Sequence, residues 1–282
     1  MKICTIILSL LLSGCAVNIT ADSFIYQDDI AEKQLDLKAI KSKITHDADL
    51  TEISEISLIT QKGITLKGVK LLHKNAQINI IFFGGGGMKI SSSYDVLNQF
   101  SLLSANVIWF DYRGTGVSEK KENLNVSALK SDALIVFDFA IKNLPSGIPV
   151  AIHGLSMGSL LATYIANERS IDALILDGAI SSVPELVDNL VPTWSKLFST
   201  VKISPELAKI DNIELIKHYS KPLLFLVGEN DSTTPVRFSQ ELYDASSSSV
   251  KKLEIIPNAE HGNTMKKNEA IKVYKHFINY LG

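Results

Sequence analysis

The feature of the sequence that most constrains the fold is a series of short, continuous apolar runs separated by segments of helical length. The runs are INIIFF (78–83), NVIWF (106–110), PVAIH (149–153), DALILD (172–177), PLLFLV (222–227) and KKLEIIP (251–257). Strands that are buried on both faces look like this, because neither face needs alternating polar residues. The helix-length segments are 94–104, 127–143, 157–168, 235–246 and 264–280. This alternation predicts an α/β fold with a mostly parallel central sheet and helices on both faces.

Two further regions complete the predicted domain, which we expect to span residues 51–282. Strand-like runs at 55–60 and 64–72 are separated by a short polar turn, which predicts an antiparallel hairpin at a sheet edge. Residues 181–220 interrupt the alternation and are too long for a simple crossover. They predict a small cap insertion, with a long helical connection as the alternative.

The composition is that of a folded chain with a balanced surface. Of the 282 residues, 46% are hydrophobic and 21% are charged, which is enough to bury a large core. The net charge is -2 and the sequence pI is about 6.3, so no basic excess indicates a nucleic-acid partner. The oligomeric state stays open at this point.

The N-terminus predicts export. Lys2 is followed by an apolar stretch at 3–12 and then by Leu12-Ser13-Gly14-Cys15. The stretch is too short for a permanent span of a ~30 Å hydrocarbon core, so residues 1–14 are predicted to be a signal peptide. The four residues at 12–15 resemble the bacterial lipoprotein box, which implies that Cys15 is lipidated and becomes the first mature residue. An ordinary export signal, or a membrane anchor with an incidental cysteine, is the alternative.

Cysteine usage agrees with this interpretation. Cys4 and Cys15 are the two cysteines of the chain, so cleavage before Cys15 would leave one, which the lipid consumes. Neither a disulfide nor a cysteine-based metal site is then expected. Resemblance to lipoprotein sorting rules adds that Ala16 after the cysteine favours the outer membrane of a bacterial envelope, facing the periplasm. Residues 15–50 are expected to be a tether or an N-terminal helix between the lipid and the domain.

The stretch PVAIHGLSMG (149–158) carries the clearest chemical signal. Gly154, Ser156 and Gly158 form a G-x-S-x-G pattern where a buried strand meets a helix, the context of a nucleophile elbow. Glycines two positions either side of the serine relieve crowding in so tight a turn and leave the hydroxyl exposed. A glycine-rich turn with an incidental serine is the alternative.

A serine nucleophile needs a base, and the base needs an orienting acid. His261 lies in a polar loop (258–262) directly after the last predicted strand, and Asp231 lies in the loop that follows PLLFLV. Loops at the carboxyl ends of parallel strands open at one edge of the sheet, so Ser156, Asp231 and His261 are predicted to converge. His153 is too close to Ser156 along one strand to serve as the base. Two carboxylates remain as substitute acids: Glu229 and Asp177.

An acyl-transfer site also needs amide donors for an oxyanion. One is predicted to be the backbone N–H of Met157, at the start of the helix after the serine. The other is predicted from Gly84–Gly87, where N–H groups can approach a ligand without obstruction by side chains. A phosphate-binding loop is the competing interpretation, but Met88-Lys89-Ile90 stands where a Walker sequence needs Gly-Lys-Ser/Thr.

Serine, aspartate and histidine in this chain order, together with DYRGTGVS (111–118), resemble the α/β-hydrolase superfamily over residues 55–281. The resemblance implies the α/β-hydrolase fold and an acyl-enzyme on Ser156, with no metal or organic cofactor. Many relatives have His-Gly where this chain has Gly84-Gly85, and that alignment places the oxyanion amide at Gly86, with Gly85 or Gly87 if the register slips.

The same resemblance bounds the substrate. It implies a small-molecule ester or another acyl compound, with carboxylic esters first and short peptides second, and thioesters as a further class. Two other functions stay open: a non-catalytic envelope protein that uses the fold for binding, and an acyltransferase that passes the acyl group to an alcohol or amine.

Overall fold

The computed structural model of the protein describes residues 15–25, 27, 28, 32, 34–45, 50–121, 124–194 and 199–281. The predicted signal peptide (1–14) lies outside the described residues. The strands are β1 (Cys15–Ile19), β2 (Leu50–Ile59), β3 (Thr65–His73), β4 (Ile78–Phe83), β5 (Ala105–Phe110), β6 (Val150–Leu155), β7 (Ala173–Asp177), β8 (Ser199–Ile203), β9 (Leu223–Gly228) and β10 (Lys251–Ile256). The helices are α1 (Leu37–Ser42), α2 (Ile90–Ser93), α3 (Asp95–Leu102), α4 (Val126–Asn143), α5 (Met157–Glu168), α6 (Val183–Leu190), α7 (Pro205–Ala208), α8 (Asn212–Ile216), α9 (Val236–Ala245) and α10 (Asn268–Leu281).

The central sheet has eight strands in the order β10-β9-β7-β6-β4-β5-β3-β2. The six strands from β10 to β5 are mutually parallel, whereas β3 pairs antiparallel with both β5 and β2. Every residue of β4, β5, β7 and β9 is buried. The predicted mostly parallel sheet, with an antiparallel hairpin at one edge, is therefore confirmed.

Helices cover both faces of this sheet, as the apolar runs require. One buried cluster joins the sheet to α4, α5 and α9 and includes Leu129, Leu161 and Phe238. The opposite cluster joins it to α3 and α10 and includes Phe100 and Tyr274. Both faces of the sheet are therefore largely apolar. No helix in the described part of the chain is both long and apolar enough to cross a membrane.

The N-terminal segment, predicted as a tether or helix over 15–50, contains α1, and other described residues of it pack against the domain. β1 pairs in parallel with β8, which lies within residues 181–220, and the two form a small separate sheet. Ala21 and Ile25 are 1% and 0% exposed because they join the main apolar cluster. Apolar side chains at these positions thus fix the segment to the domain, a contact that local patterns do not reveal.

Asp28 ties the same segment to two loops at the carboxyl edge of the sheet. Its backbone N–H donates to the carbonyl of Gly114 at 2.7 Å, and its Oδ2 accepts from the N–H of Gly116 at 2.9 Å. Lys89, which follows the glycine loop after β4, forms an ion pair with the Asp28 carboxylate. The segment therefore crosses the top of the sheet between the loops that follow β4 and β5.

The DYRGTGVS stretch folds into the loop after β5 and is held by buried charge. The Arg113 guanidinium donates two hydrogen bonds of 2.6 Å to the Asp132 carboxylate in α4, a paired geometry that suits arginine. Asp111 accepts from the backbone N–H groups of Ile90 and Val117 at 2.8 and 3.1 Å. These bonds fix the loop beside the glycine-rich loop.

Candidate active site

Ser156 occupies a strained turn between β6 and α5. Its φ and ψ are 53° and -119°, a conformation that non-glycine residues rarely adopt and that persists only where the surroundings enforce it. Two backbone hydrogen bonds hold Ser156 in this conformation. The N–H of Ser156 donates to the carbonyl of Asp177 at 2.9 Å, and the N–H of Ser159 donates to the carbonyl of Ser156 at 2.9 Å. This is the geometry expected of a nucleophile elbow.

The two glycines of the elbow permit close approach of α5 to the sheet. A Cβ at Gly158 would overlap the backbone carbonyl of Phe83 in β4. A Cβ at Gly154 would lie 2.7 Å from the Cβ of Ala162, well inside van der Waals contact. Because no side chain fits at either place, the G-x-S-x-G pattern is required by packing as well as by the turn.

The loops after β6, β9 and β10 bring three predicted site residues together. His261 Nε2 lies 2.9 Å from Ser156 Oγ, and His261 Nδ1 lies 2.8 Å from Asp231 Oδ2. Asp231 is 5% exposed, whereas Ser156 and His261 are partly accessible from the cavity above the sheet. These distances are within hydrogen-bond range, so a proton can pass from serine to histidine while aspartate holds the ring.

The surroundings of Asp231 keep it ionised. Burial alone would raise the pKa of Asp231, but hydrogen bonds from His261 and Thr234 outweigh it and hold the pKa below its ordinary value. Its Oδ1 accepts from the N–H groups of Thr233 and Thr234 at 3.0 and 2.8 Å. An ionised carboxylate only accepts, so His261 Nδ1 carries the proton and Nε2 is free to accept from Ser156.

Thr234 is a site residue that the sequence analysis missed. Its Oγ1 donates to Asp231 Oδ2 at 2.8 Å and lies 3.0 Å from His261 Nδ1. The hydroxyl therefore bridges the acid and the base from one side. The available signal was an aspartate followed at the second and third positions by threonines, a spacing typical of a carboxylate that bonds the backbone of its own turn.

The alternative base and acids make other contacts, although His153 and Asp177 also line the cavity. His153 is 1% exposed and packs edge-on against Phe82 and Phe100. Asp177 accepts a hydrogen bond from the Thr264 hydroxyl. Glu229 accepts from the backbone N–H of Asn258 at 3.0 Å and is exposed. Among the contacts described, Asp231 is the carboxylate bonded to His261.

The glycine loop after β4 borders the same site. A Cβ at Gly85 would lie 3.6 Å from the Ser156 Cβ, so this loop passes directly over the serine. Tyr112 Oη donates to the carbonyl of Gly84 at 2.7 Å, and the N–H of Gly85 points to the sulfur of Met88 at 3.3 Å. Gly86 and Met157 both line the cavity that contains Ser156, and their role as oxyanion donors stays a prediction.

The cavity above the triad has a volume of about 590 Å³ and mostly apolar walls. The apolar lining residues include Ile19, Phe24, Met88, Val96, Leu155, Ile180, Leu186, Val187, Leu190, Val191 and Met265. α6, within the predicted cap region 181–220, forms one wall, and the N-terminal segment forms another. An acyl or aromatic group suits such walls.

A second apolar cavity of about 230 Å³ lies next to the first. Phe24 and Met157 line both cavities, so these two side chains stand at the boundary between them. The remaining walls of the second cavity come mainly from α4, α5 and the 207–215 region. Within the described residues, no group of three or more histidine, cysteine, aspartate or glutamate side chains is placed to hold a metal ion.

Comparisons with known proteins agree with this architecture. The Hydrolase_4 family model, described as serine aminopeptidase S33, matches residues 74–212, which include Ser156 and exclude Asp231 and His261. The esterase Pf2001 of Pyrococcus furiosus superimposes with a TM-score of 0.70 at 17% identity, covering 91% of this chain and 97% of that one. GrgF, an α/β hydrolase from Penicillium sp. sh18, gives 0.64 at 15% identity, covering 81% and 98%.

A relative was also found by sequence. Protein bem46 of Schizosaccharomyces pombe is 28% identical over 118 residues, which make up 41% of this chain and 38% of that protein. The match therefore spans well under half of the curated relative. Taken together, the sheet order, the elbow and the superimposed structures show that the chain has the α/β-hydrolase fold.

Proposed function

We propose that the protein is a serine hydrolase that cleaves a carboxylic ester through an acyl-enzyme on Ser156. The observation that carries the proposal is the chain of contacts from Ser156 Oγ to His261 at 2.9 Å and on to Asp231 at 2.8 Å. An isolated serine hydroxyl is a weak nucleophile, and this chain of contacts supplies the base and the orienting acid that it needs.

The reaction begins when Ser156 Oγ attacks the acyl carbon and His261 Nε2 takes the serine proton. Asp231 holds the ring and stabilises the imidazolium, and the amides of Met157 and Gly86 receive the oxyanion. As the tetrahedral intermediate collapses, His261 returns the proton to the leaving alkoxide. Water, activated by the same nitrogen, then attacks the acyl-enzyme and releases the acid and free Ser156.

An ester is favoured over a peptide by the walls of the cavity. Aliphatic and aromatic side chains dominate the lining, which suits an acyl chain more than an amino-acid backbone. Peptide cleavage is the second candidate because the matched family is described as serine aminopeptidase. The two are separated by comparing kcat/KM for p-nitrophenyl esters of graded chain length with that for aminoacyl p-nitroanilides, and faster anilide cleavage would reverse the order.

Labelling of the full chain with a fluorophosphonate probe tests the nucleophile. We expect rapid labelling of the wild type and of Ser93→Ala, which removes a different serine from the same cavity. Ser156→Ala and His261→Ala should both abolish labelling. A folded protein that resists the probe would favour the non-catalytic binding role, and transfer of the acyl group to an added alcohol in preference to water would favour a transferase.

We propose further that Cys15 is lipidated and that the protein is anchored in the bacterial cell envelope, at the periplasmic face of the outer membrane. The support is the Leu12-Ser13-Gly14-Cys15 sequence after a short apolar stretch. Feeding cells an alkynyl fatty acid should label the wild type and Cys4→Ser, whereas Cys15→Ser should stay unlabelled and unprocessed. Fractionation of the two membranes tests the location, and labelling of Cys15→Ser would exclude the anchor.

A further inference from the structure

We propose that the face around Val17, Leu190 and Trp194 docks on the phospholipid bilayer and that the active-site cavity takes an acyl-ester lipid directly from it. This rests on the proposed function in two respects: hydrolysis at Ser156 and a lipid on Cys15. It adds the orientation of the protein on the membrane and the source of the substrate. Three observations support it: the short path from Cys15 to the cavity, the exposed apolar side chains, and the apolar lining of the cavities.

The anchor point is one short strand away from the cavity. β1 begins at Cys15 and ends at Ile19, and Ile19 lines the cavity that contains Ser156. Four residue steps at ~3.3 Å per step place the two ends ~13 Å apart. The strand is paired along its whole length with β8, from Cys15 opposite Ser199 to Ile19 opposite Ile203. A lipid at Cys15 would thus hold the cavity wall close to the bilayer, without a slack tether.

Large apolar side chains are exposed on β1 itself and at and just beyond the end of α6, the helix that lines the cavity. Val17 in β1 is 46% exposed, Leu190 at the end of α6 is 53% exposed, and Trp194 just beyond is 70% exposed. Leu190 and Val191 also line the cavity, so this side of its rim is apolar. Single exposed apolar residues are common on proteins, but aliphatic and tryptophan side chains beside an anchor suit the interface of a bilayer.

The interior of the site fits a lipid acyl chain. The main cavity is apolar and about 590 Å³, and a second apolar cavity of about 230 Å³ lies beyond Phe24 and Met157. A lipid with its ester at Ser156 would keep its acyl chain in apolar surroundings throughout its transfer. The free energy of removing a chain from the bilayer, about 0.8 kcal/mol per methylene group, would then be largely recovered in the cavity.

Tryptophan fluorescence tests the docking independently of any reaction. The chain contains Trp109, which is 1% exposed in the core, and Trp194, which is exposed. When the full lipidated chain is bound to vesicles of phosphatidylethanolamine and phosphatidylglycerol, emission should shift to the blue and be quenched by doxyl-labelled lipids. Trp194→Phe should remove most of both effects. If iodide in the water quenches Trp194 equally with and without vesicles, the docking surface is wrong.

Release of fatty acid from the same vesicles tests the substrate. The double variant Val17→Ser, Trp194→Ser should release fatty acid at least about fivefold more slowly, relative to its own rate of fluorophosphonate labelling. The matched control is Ile59→Ser, Tyr280→Ser, which removes two exposed apolar side chains (72% and 62%) outside this face and should behave like the wild type.

The two proposals fail in different ways. A wild type that neither reacts with the probe nor cleaves soluble esters would overturn the hydrolase proposal, while the fluorescence experiment would still decide the docking. A wild type that reacts with the probe and cleaves a soluble butyrate ester, but releases no fatty acid from vesicles, would overturn the bilayer substrate alone. An equal loss in both double variants would overturn the role of this face.

Discussion

The backbone carbonyl oxygen of Phe24 lies only 1.8 Å from the position that a Cβ on Gly86 would take. The loop predicted to supply an oxyanion amide is thus packed backbone to backbone against the N-terminal segment. This segment also contributes Ile19, Ser23 and Phe24 to the wall of the cavity. The site is therefore completed by a segment more than a hundred residues away from Ser156 in the sequence.

This packing makes Gly86 intolerant of any side chain. We expect Gly86→Ala to lower the free energy of unfolding by about 1–3 kcal/mol, the usual range for overpacking, and to reduce kcat as the loop or the N-terminal segment shifts. Urea denaturation and ester hydrolysis measure the two effects. Gly87→Ala is the matched control, because a Cβ there meets nothing within 4 Å. Equal losses of stability and of kcat in both variants would show that glycine is required by the loop conformation and not by the contact with Phe24.

Thr234 is expected to position the acid and the base. Thr234→Val keeps the shape but removes the hydroxyl that contacts Asp231 at 2.8 Å and His261 at 3.0 Å. The loss of a hydrogen bond to a charged group, about 1.5–3 kcal/mol, predicts a fall in kcat/KM of roughly ten- to a hundredfold.

Two companion variants make the test of Thr234 specific. Thr234→Ser should recover most of the activity because it retains the hydroxyl. Thr233→Val should leave activity near the wild-type level, since Thr233 contacts Asp231 through its backbone N–H. The interpretation fails if Thr233→Val and Thr234→Val lose kcat/KM equally.

Phe24 is expected to limit the length of the acyl chain. Its side chain borders both cavities, so Phe24→Ala should connect them and move the preferred p-nitrophenyl ester toward longer chains. Ile19→Ala is the matched control from the same segment, because Ile19 lines the first cavity but not the second. A profile of kcat/KM against chain length measures the change, and an unchanged optimum in Phe24→Ala would contradict the role.

Asp111 is expected to make stability depend on pH. Burial raises its pKa to about 7 from an ordinary value of 3.8, although the N–H groups of Ile90 and Val117 oppose the shift. The folded state therefore binds this proton more tightly than the unfolded chain does. The stabilisation is fully present below about pH 4 and is lost as the pH rises through about 7, with a slope of at most about 1.4 kcal/mol per pH unit.

Urea denaturation at several pH values measures this dependence. The wild type should lose stability relative to Asp111→Asn as the pH rises from about 4 to about 7, because the variant has no proton to lose there. Asp244→Asn, at an exposed carboxylate in α9, should follow the wild type. Parallel pH profiles for the wild type and Asp111→Asn would show that Asp111 does not titrate in this range.

Local sequence patterns were sufficient to predict the elements that are buried along their whole length. The runs INIIFF and PLLFLV are buried over every residue of β4 and β9, so their lack of alternation was itself the signal. The junction of strand and helix at Ser156 was visible because glycines flank it at fixed positions. Asp231 and His261 could be selected since each follows a predicted strand of the same parallel sheet, and such loops share one edge.

Contacts between distant segments were not visible in the same way. Residues 15–25 carry no strong periodicity, and their partners, β8 and the Gly86 loop, are joined to them only through folding. The residues next to Phe24 in the sequence do not indicate that it separates two cavities. The cavities form only when several helices and loops pack together.

The sequence alone was therefore enough to predict the parallel sheet, the elbow at Ser156, and Asp231 and His261 as its partners. Hydrophobic periodicity and turn chemistry, on which these predictions rest, are local properties of the chain. What the tertiary structure decided was the bridging position of Thr234, the covering of Gly86 by Phe24 and the apolar rim beside β1. These depend on side chains and backbone brought together from remote parts of the chain, whose packing is fixed only when the whole domain has folded.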